Sequence, residues 1–117
     1  MIEQFSLRRA VVSDAKAVLA LTRIAYSESV PLVGREPKPM TANYERAVAE
    51  HIIDLWEENE ELLALIEMIP EANFLLIENI AVRPDQQGRG IGKRLLYHAE
   101  QLAFSMSFDN VQLYSGF

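Results

Sequence analysis

Ile80-Ala81-Val82-Arg83-Pro84-Asp85-Gln86-Gln87-Gly88-Arg89-Gly90-Ile91-Gly92-Lys93-Arg94 carries the reading of this chain. An apolar run enters at Ile80–Val82 and is stopped by Arg83-Pro84-Asp85, and glycine then stands at every second position from 88 to 92. A helical pattern follows, with Leu95, Leu96, Ala99, Leu102, Ala103 and Met106 on one stripe. A strand therefore runs into a glycine turn that opens a helix. Glycine tolerates positive φ and lets a ligand approach the backbone closely. The first amides of a helix have no partner within it, and the helix dipole favours negative charge there. That combination suits a phosphate, and Arg89, Lys93 and Arg94 are placed to add charge-assisted contacts.

Two other glycine motifs fail here. A Walker A loop needs Gly where Gln87 stands and Ser or Thr where Arg94 stands. A dinucleotide fingerprint needs its third Gly at the position of Lys93, inside a βαβ unit.

Working outward, Phe74–Val82 is an apolar strand run behind the turn Pro70–Asn73. Leu62–Ile69 is another, separated from the strand-like His51–Trp56 by the polar turn Glu57–Glu60. Upstream, Phe5–Val11 reads as a first strand. Ser13 is a candidate cap for a helix reaching Tyr26, with Val18, Leu21, Ile24 and Ala25 at helical spacing. Val30–Met40, with three prolines and Gly34, is loop-like, and Thr41 is placed to cap a short helix through Glu50. Asn110–Tyr114 reads as a last strand. The order is βααβββαβ, an α+β layer of helices on a largely antiparallel sheet, and 117 residues suit a single domain, 1–117.

Half the residues are hydrophobic and 24% are charged, which is globular composition. The net charge of −6 argues against general nucleic-acid binding. There is no cysteine, so disulfides, Cys-based metal sites and a Cys nucleophile are excluded, and the two histidines have no metal-ligand spacing. The opening residues show no secretory leader, and no apolar run approaches the roughly 20 residues needed to span a bilayer. A cytoplasmic protein is expected, with neither membrane nor nucleic acid as partner.

The segment Gln87-Gly88-Arg89-Gly90-Ile91-Gly92 resembles the acyl-CoA signature of the GNAT N-acetyltransferase family: Gln or Arg, two residues, Gly, one residue, Gly or Ala. Ala81-Val82-Arg83-Pro84 before it is also typical. Leu7-Arg8-Arg9-Ala10 followed by Ser13-Asp14-Ala15 looks like the family's opening strand and helix, and Gly34–Tyr44 resembles a loop of one bacterial branch. The resemblance implies a GNAT-like fold and acetyl-CoA as acyl donor. It implies that the backbone of Ile80, Ala81 and Val82 pairs with the pantetheine arm. It also implies that the amides of Gln87, Gly88, Arg89, Gly90, Ile91, Gly92 and Lys93 hold the pyrophosphate.

Acetyl transfer needs a neutral amine, a polarised thioester carbonyl and a proton for the departing thiolate. Without cysteine, direct attack within a ternary complex is the natural scheme, on a small-molecule or peptide amine. Glu78 is the candidate base: a carboxylate in an apolar run, whose pKa burial would raise, with the strand parity of Ile80 and Val82. An ion-paired or edge-exposed glutamate fits the same position. Asn79 is placed at the strand's distortion, where its amide can serve the local backbone; Tyr26 and the Arg35-Glu36 loop fit the border of an acceptor site and, equally, a solvated loop. His51, His98, Trp56 and Phe74 read as structural or surface residues.

Full family members continue after the fifth strand with a helix and two strands that carry a Tyr acid. Leu113-Tyr114 aligns with the fifth strand, so that the later part is absent; Tyr114-Ser115-Gly116-Phe117 as a contracted remnant of the Tyr motif is the other alignment. A missing C-terminal part leaves an uncovered sheet edge, from which a homodimer is expected. It also leaves a second functional reading, a non-catalytic acyl-CoA-binding or interaction module.

Overall fold

The computed structural model describes residues 5–27 and 42–113. Strand β1 (Phe5–Arg9) leads through a single 3-10 turn into helix α1 (Ala15–Tyr26). Helix α2 (Tyr44–Glu50) precedes a meander of β2 (Ile52–Glu58), β3 (Glu61–Pro70) and β4 (Phe74–Val82). A second 3-10 turn, Pro84–Gln86, leads to helix α3 (Ile91–Ser105) and strand β5 (Asn110–Leu113). The five strands form one sheet in chain order. Pairing is antiparallel from β1 to β4 and parallel between β4 and β5, because α3 carries the chain back to the starting end of β4.

Local chemistry explains most boundaries. The hairpin between β2 and β3 turns on Asn59 and Glu60, both at positive φ, the geometry that two-residue hairpin loops require. Helix α2 is capped by Asn43, whose side chain accepts from the Arg46 amide at 3.2 Å; Thr41, expected in that role, lies outside the described residues, as do the Val30–Met40 loop and Tyr114–Phe117. Helix α1 starts one residue later than expected, with Asp14 and not Ser13 at its cap position. The Asp14 carboxylate folds back to accept from the Val11 amide at 2.8 Å and from Arg8, which holds the turn ahead of the helix in place of a Ser13 cap. That Arg8 pairing also keeps the Asp14 carboxyl below the ordinary carboxylate range.

Two cores flank the sheet. On one face α3 buries Ile91, Leu95, Ala99 and Ala103, a strict four-residue stripe, against Trp56, Ala64, Ile66, Met68, Leu75 and Ile77. Leu96 and Met106, expected on the stripe, flank it and are partly exposed. On the other face α1 and α2 bury Val18, Leu21, Tyr44 and Ala47 against Ile53, Leu55, Leu65 and Ala81.

Strand β4 contributes Leu75 and Ile77 to the α3 face but Ala81 to the opposite one. A β-bulge causes the change. The register steps from Glu67↔Asn79 to Met68↔Ile77, leaving Glu78 as the extra residue. Glu78 and Asn79 therefore share the α1/α2 face, while Ile80 and Val82 pack on the α3 side. The expected common parity of Glu78 with Ile80 and Val82 is thus broken, because simple alternation does not survive an inserted residue.

Candidate active site

Strand β5 pairs with β4 only from Phe74 to Ile77. Beyond that point the outer edge of β4 faces no described strand. The Ile80 carbonyl accepts from the Tyr26 hydroxyl at 3.4 Å, and the Val82 carbonyl accepts from the Gln87 side chain at 3.3 Å. A cleft of about 490 Å³ opens along this edge, lined by Tyr26, Ile80, Val82, Gln87 and the turn's glycines. That volume lies within the ordinary range for ligand pockets.

The glycine turn closes one end of the cleft. Gly88 and Gly90 take φ of 87° and 81°, and Gly90 is the residue from which α3 starts. Arg94 is the first amide to bond back, to the Gly90 carbonyl at 3.1 Å. Among the described residues, the amides of Gly90, Ile91, Gly92 and Lys93 meet no acceptor in hydrogen-bonding geometry. A Cβ built on Gly88, Gly90 or Gly92 would have no protein atom within 4 Å. The turn thus presents donors at the positive end of a 15-residue helix with clear space before them. These features fit a diphosphate.

Of the residues expected to bind the donor, Ile80, Val82, Gln87, Gly88, Gly90, Ile91 and Gly92 come together on this cleft. Three do not line it. Ala81 is buried on the opposite face. Lys93 is exposed. The Arg89 guanidinium is held by Glu58 at 3.0 and 3.1 Å and by Gln86 at 2.6 Å. Arg94 lies 4.9 Å from the centroid of the Trp56 ring. Arg89 and Arg94, two of the three cations expected to join an anion site, are thus engaged elsewhere, and the donors that stand open at the turn are main-chain amides.

Behind β4 lies a second cavity of about 330 Å³, walled by Tyr44, Arg46, Glu50, His51, Glu67 and Glu78. Glu78 therefore lines this cavity and not the cleft, as the bulge dictates. Glu67 is buried and accepts from His51 Nδ1–H at 2.6 Å. Between cleft and cavity stands Asn79, fully buried. Its Oδ1 accepts from Tyr26 at 2.8 Å, and its amide nitrogen donates to Tyr44 at 3.3 Å and Thr22 at 3.4 Å. Burial first, and the Glu67 charge second, push the Tyr26 hydroxyl up to about 12. Tyr44 is pushed up further, mainly by burial.

The sequence reading missed Glu67, His51 and the Asn79 network. The signal was present: Glu67 is a lone carboxylate in the apolar run Leu62–Ile69, just as Glu78 is in its own. His98, expected at the surface, is half-buried, and its Nε2 meets Asp54 at 2.7 Å. Among the described residues no group of three or more His, Cys, Asp or Glu could hold a metal ion.

Residues 18–115 match the Acetyltransferase (GNAT) family. The chain belongs to this family. Its fold is that of GNAT acetyltransferases of known structure. The PaiA N-acetyltransferase of Thermoplasma acidophilum, solved with coenzyme A, superposes with a TM-score of 0.82 at 16% identity, over 95% of this chain and 79% of that one. A possible acetyltransferase of Clostridium difficile 630 gives 0.78 at 17% identity, over 96% and 80%. The aminoglycoside N-acetyltransferase AAC(6')-Iy in complex with CoA gives 0.72 at 11% identity, over 98% and 79%. At these identities the likeness is one of fold. Among curated proteins nothing matches the sequence. GNAT membership makes the chain an acyltransferase that uses an acyl-CoA.

Proposed function

We propose that this GNAT protein transfers acetyl from acetyl-CoA to an amine, by direct attack of the neutral amine within a ternary complex. The observation that carries the reading is the set of acceptor-less amides from Gly90 to Lys93, at the end of a cleft that follows the outer edge of β4. Two GNAT structures of the same fold were solved with coenzyme A, which supports a diphosphate at these amides and pantetheine along Ile80–Val82. The cavity behind the bulge then receives the amine, and Glu78 in its wall takes the amine's proton. Holding donor and acceptor on either side of Asn79 supplies the proximity that direct transfer needs.

Calorimetric titration with acetyl-CoA and CoA, followed by CoA-release assays against a panel of small amines and peptides, tests this. Tight binding with turnover that Glu78→Gln abolishes is expected. Binding without turnover, unaffected by Glu78→Gln, would instead support a non-catalytic acyl-CoA-binding module. No helix among the described residues is long and apolar enough to cross a membrane, and the cysteine-free sequence suits the cytoplasm. The reading extends to a homodimer, because Phe104 (81% exposed) and Leu113 (58%) leave apolar surface beside the edge strand β5. Sedimentation as a monomer at micromolar concentration would remove that part.

A further inference from the structure

We infer that His51, aligned by Glu67, is a second proton acceptor in the amine cavity, serving acceptors that arrive as ammonium ions. The inference rests on the acetyltransferase reading above and adds to it a class of acceptor. Its starting point is a matter of counting protons. An aliphatic amine has a pKa near 10, so at neutral pH its nitrogen carries three protons and must shed two to become an amide. One must leave before attack, to free the lone pair. The other leaves as the C–N bond forms. A single carboxylate handles one of these at a time.

The cavity holds two proton acceptors of different kinds. Glu78 comes from the bulge of β4. His51 closes α2, its amide bonded to the Ala47 carbonyl at 2.7 Å, and the residue lines the cavity. Glu67, from the neighbouring β3, is 5% exposed at its side chain and takes His51 Nδ1–H at 2.6 Å. That bond fixes the tautomer and leaves Nε2 as the ring atom able to accept. His51 is itself 29% exposed, so a proton it takes can pass on to water. The other charged or titratable groups of the wall are Tyr44, Arg46 and Glu50 from α2. Arg46 is paired with Glu50 at 2.7 Å. The wall therefore carries more carboxylate than cation and suits an ammonium.

The steps balance. His51 Nε2 takes one proton from the ammonium and releases it to solvent. The freed lone pair attacks the thioester carbon, the C–N bond forms and the C–S bond breaks. Glu78 takes the second nitrogen proton and returns it to the departing thiolate. One ammonium and one thioester give one amide, one thiol and one proton.

The test compares an aliphatic primary amine with an aromatic amine that is neutral at every assay pH. The parent, His51→Gln and Glu67→Gln are each assayed at pH 7 and pH 9.5. With the aliphatic amine at pH 7, His51→Gln should lower kcat/KM about 100-fold. The deficit should shrink at pH 9.5, where the amine increasingly arrives deprotonated. With the aromatic amine the deficit should stay within about fivefold at both pH values. Glu67→Gln, which keeps size and removes the aligning charge, should follow the same pattern at smaller amplitude. An equal loss for both amines at both pH values would mark the pair as structural and overturn the inference, as would no loss at all. Acetyl-CoA titrations of the parent separate the two readings. A parent that binds acetyl-CoA but transfers to no aliphatic amine overturns this inference alone; a parent that binds none removes the donor reading and this one with it.

Discussion

Replacing Gly90 separates the cost of folding from the cost of binding, because the structure assigns each a different origin. Gly90 sits at φ 81° and starts α3. An L residue in the left-handed region costs about 1–2 kcal/mol. No protein atom lies within 4 Å of a Cβ placed there, so backbone strain is the whole structural penalty of Gly90→Ala. For 117 residues the unfolding entropy is about 0.25 kcal/mol per degree, so Tm should fall by about 4–8 °C. Gly90→Glu carries the same strain, and its carboxylate beside the helix start gains a few tenths of a kcal/mol from the dipole. It should be no less stable than the alanine variant. Its charge, however, lies where the proposed diphosphate sits. At about 6 Å and an effective dielectric of about 20, one like-charge pair costs about 3 kcal/mol, or roughly 100-fold in Kd. Thermal unfolding followed by circular dichroism and calorimetric titration with acetyl-CoA read the two quantities. Equal Tm values with Kd about 100-fold weaker in Gly90→Glu than in Gly90→Ala are expected. If the two variants bind acetyl-CoA alike, the diphosphate does not sit at these amides, and the donor site is wrong.

Other perturbations test the same structure elsewhere. Gly92 lies inside the first turn of α3 with ordinary helical φ and open space at its Cβ. Gly92→Ala should therefore raise stability by about 0.5–1 kcal/mol in urea titrations, and acetyl-CoA binding should persist, since the family signature admits Ala there; a destabilised variant would contradict the assigned backbone. Asp54 is buried and receives Arg9 Nε at 2.6 Å and His98 at 2.7 Å, tying β1 and α3 to β2. Asp54→Ala should cost about 2 kcal/mol, the half-exposed arginine softening the full penalty of a broken buried pair, and an unchanged urea midpoint would refute the linkage. Burial raises the hydroxyl pKa of Tyr26 to about 12 and that of Tyr44 in the same direction. An unfolded tyrosine loses its proton near 10, so above that pH the unfolded chain binds fewer protons than the folded one. The contribution of these two tyrosines should be constant below about pH 10 and fall as pH rises toward 12; a flat urea midpoint from pH 9 to 11.5 would count against the buried network.

Much of this was legible in the residues. The element order needed only the positions of apolar runs and of Gly, Pro and Asn. The glycine turn was readable because its chemistry is local: alternation of glycine at 88, 90 and 92, a stop at Pro84 and a helical stripe beyond it place donors at a helix start without reference to any distant residue. What failed was whatever depended on pairing across the fold. Arg89 and Arg94 read as anion ligands by proximity in sequence, yet Glu58 and Trp56, more than thirty residues away, hold them. His51 and Glu67 are 16 residues apart and meet only because β2 and β3 pair. The adjacent polar pair Glu78-Asn79 marked the place of the distortion within an apolar run, but which face each residue takes depended on the register with β3.

That bulge is what makes a two-sided site out of one strand. Had β4 continued the alternation of Leu75 and Ile77, Asn79 and Ala81 would have followed them onto the α3 face, and the Asn79 amide would point into a packed core. One inserted residue instead turns Glu78 and Asn79 together toward α1 and α2. Asn79 then spends its whole amide on Tyr26, Tyr44 and Thr22, so the distortion is satisfied by hydrogen bonds and no buried side-chain polar atom among the described residues lacks a partner. Tyr26 reaches from that asparagine to the cleft beside the glycine turn and Tyr44 to the cavity walled by Glu78. The two compartments are therefore coupled through a single buried amide. A change at Asn79 should disturb donor and acceptor binding at once, whereas changes at Gly90 or His51 should disturb one and spare the other.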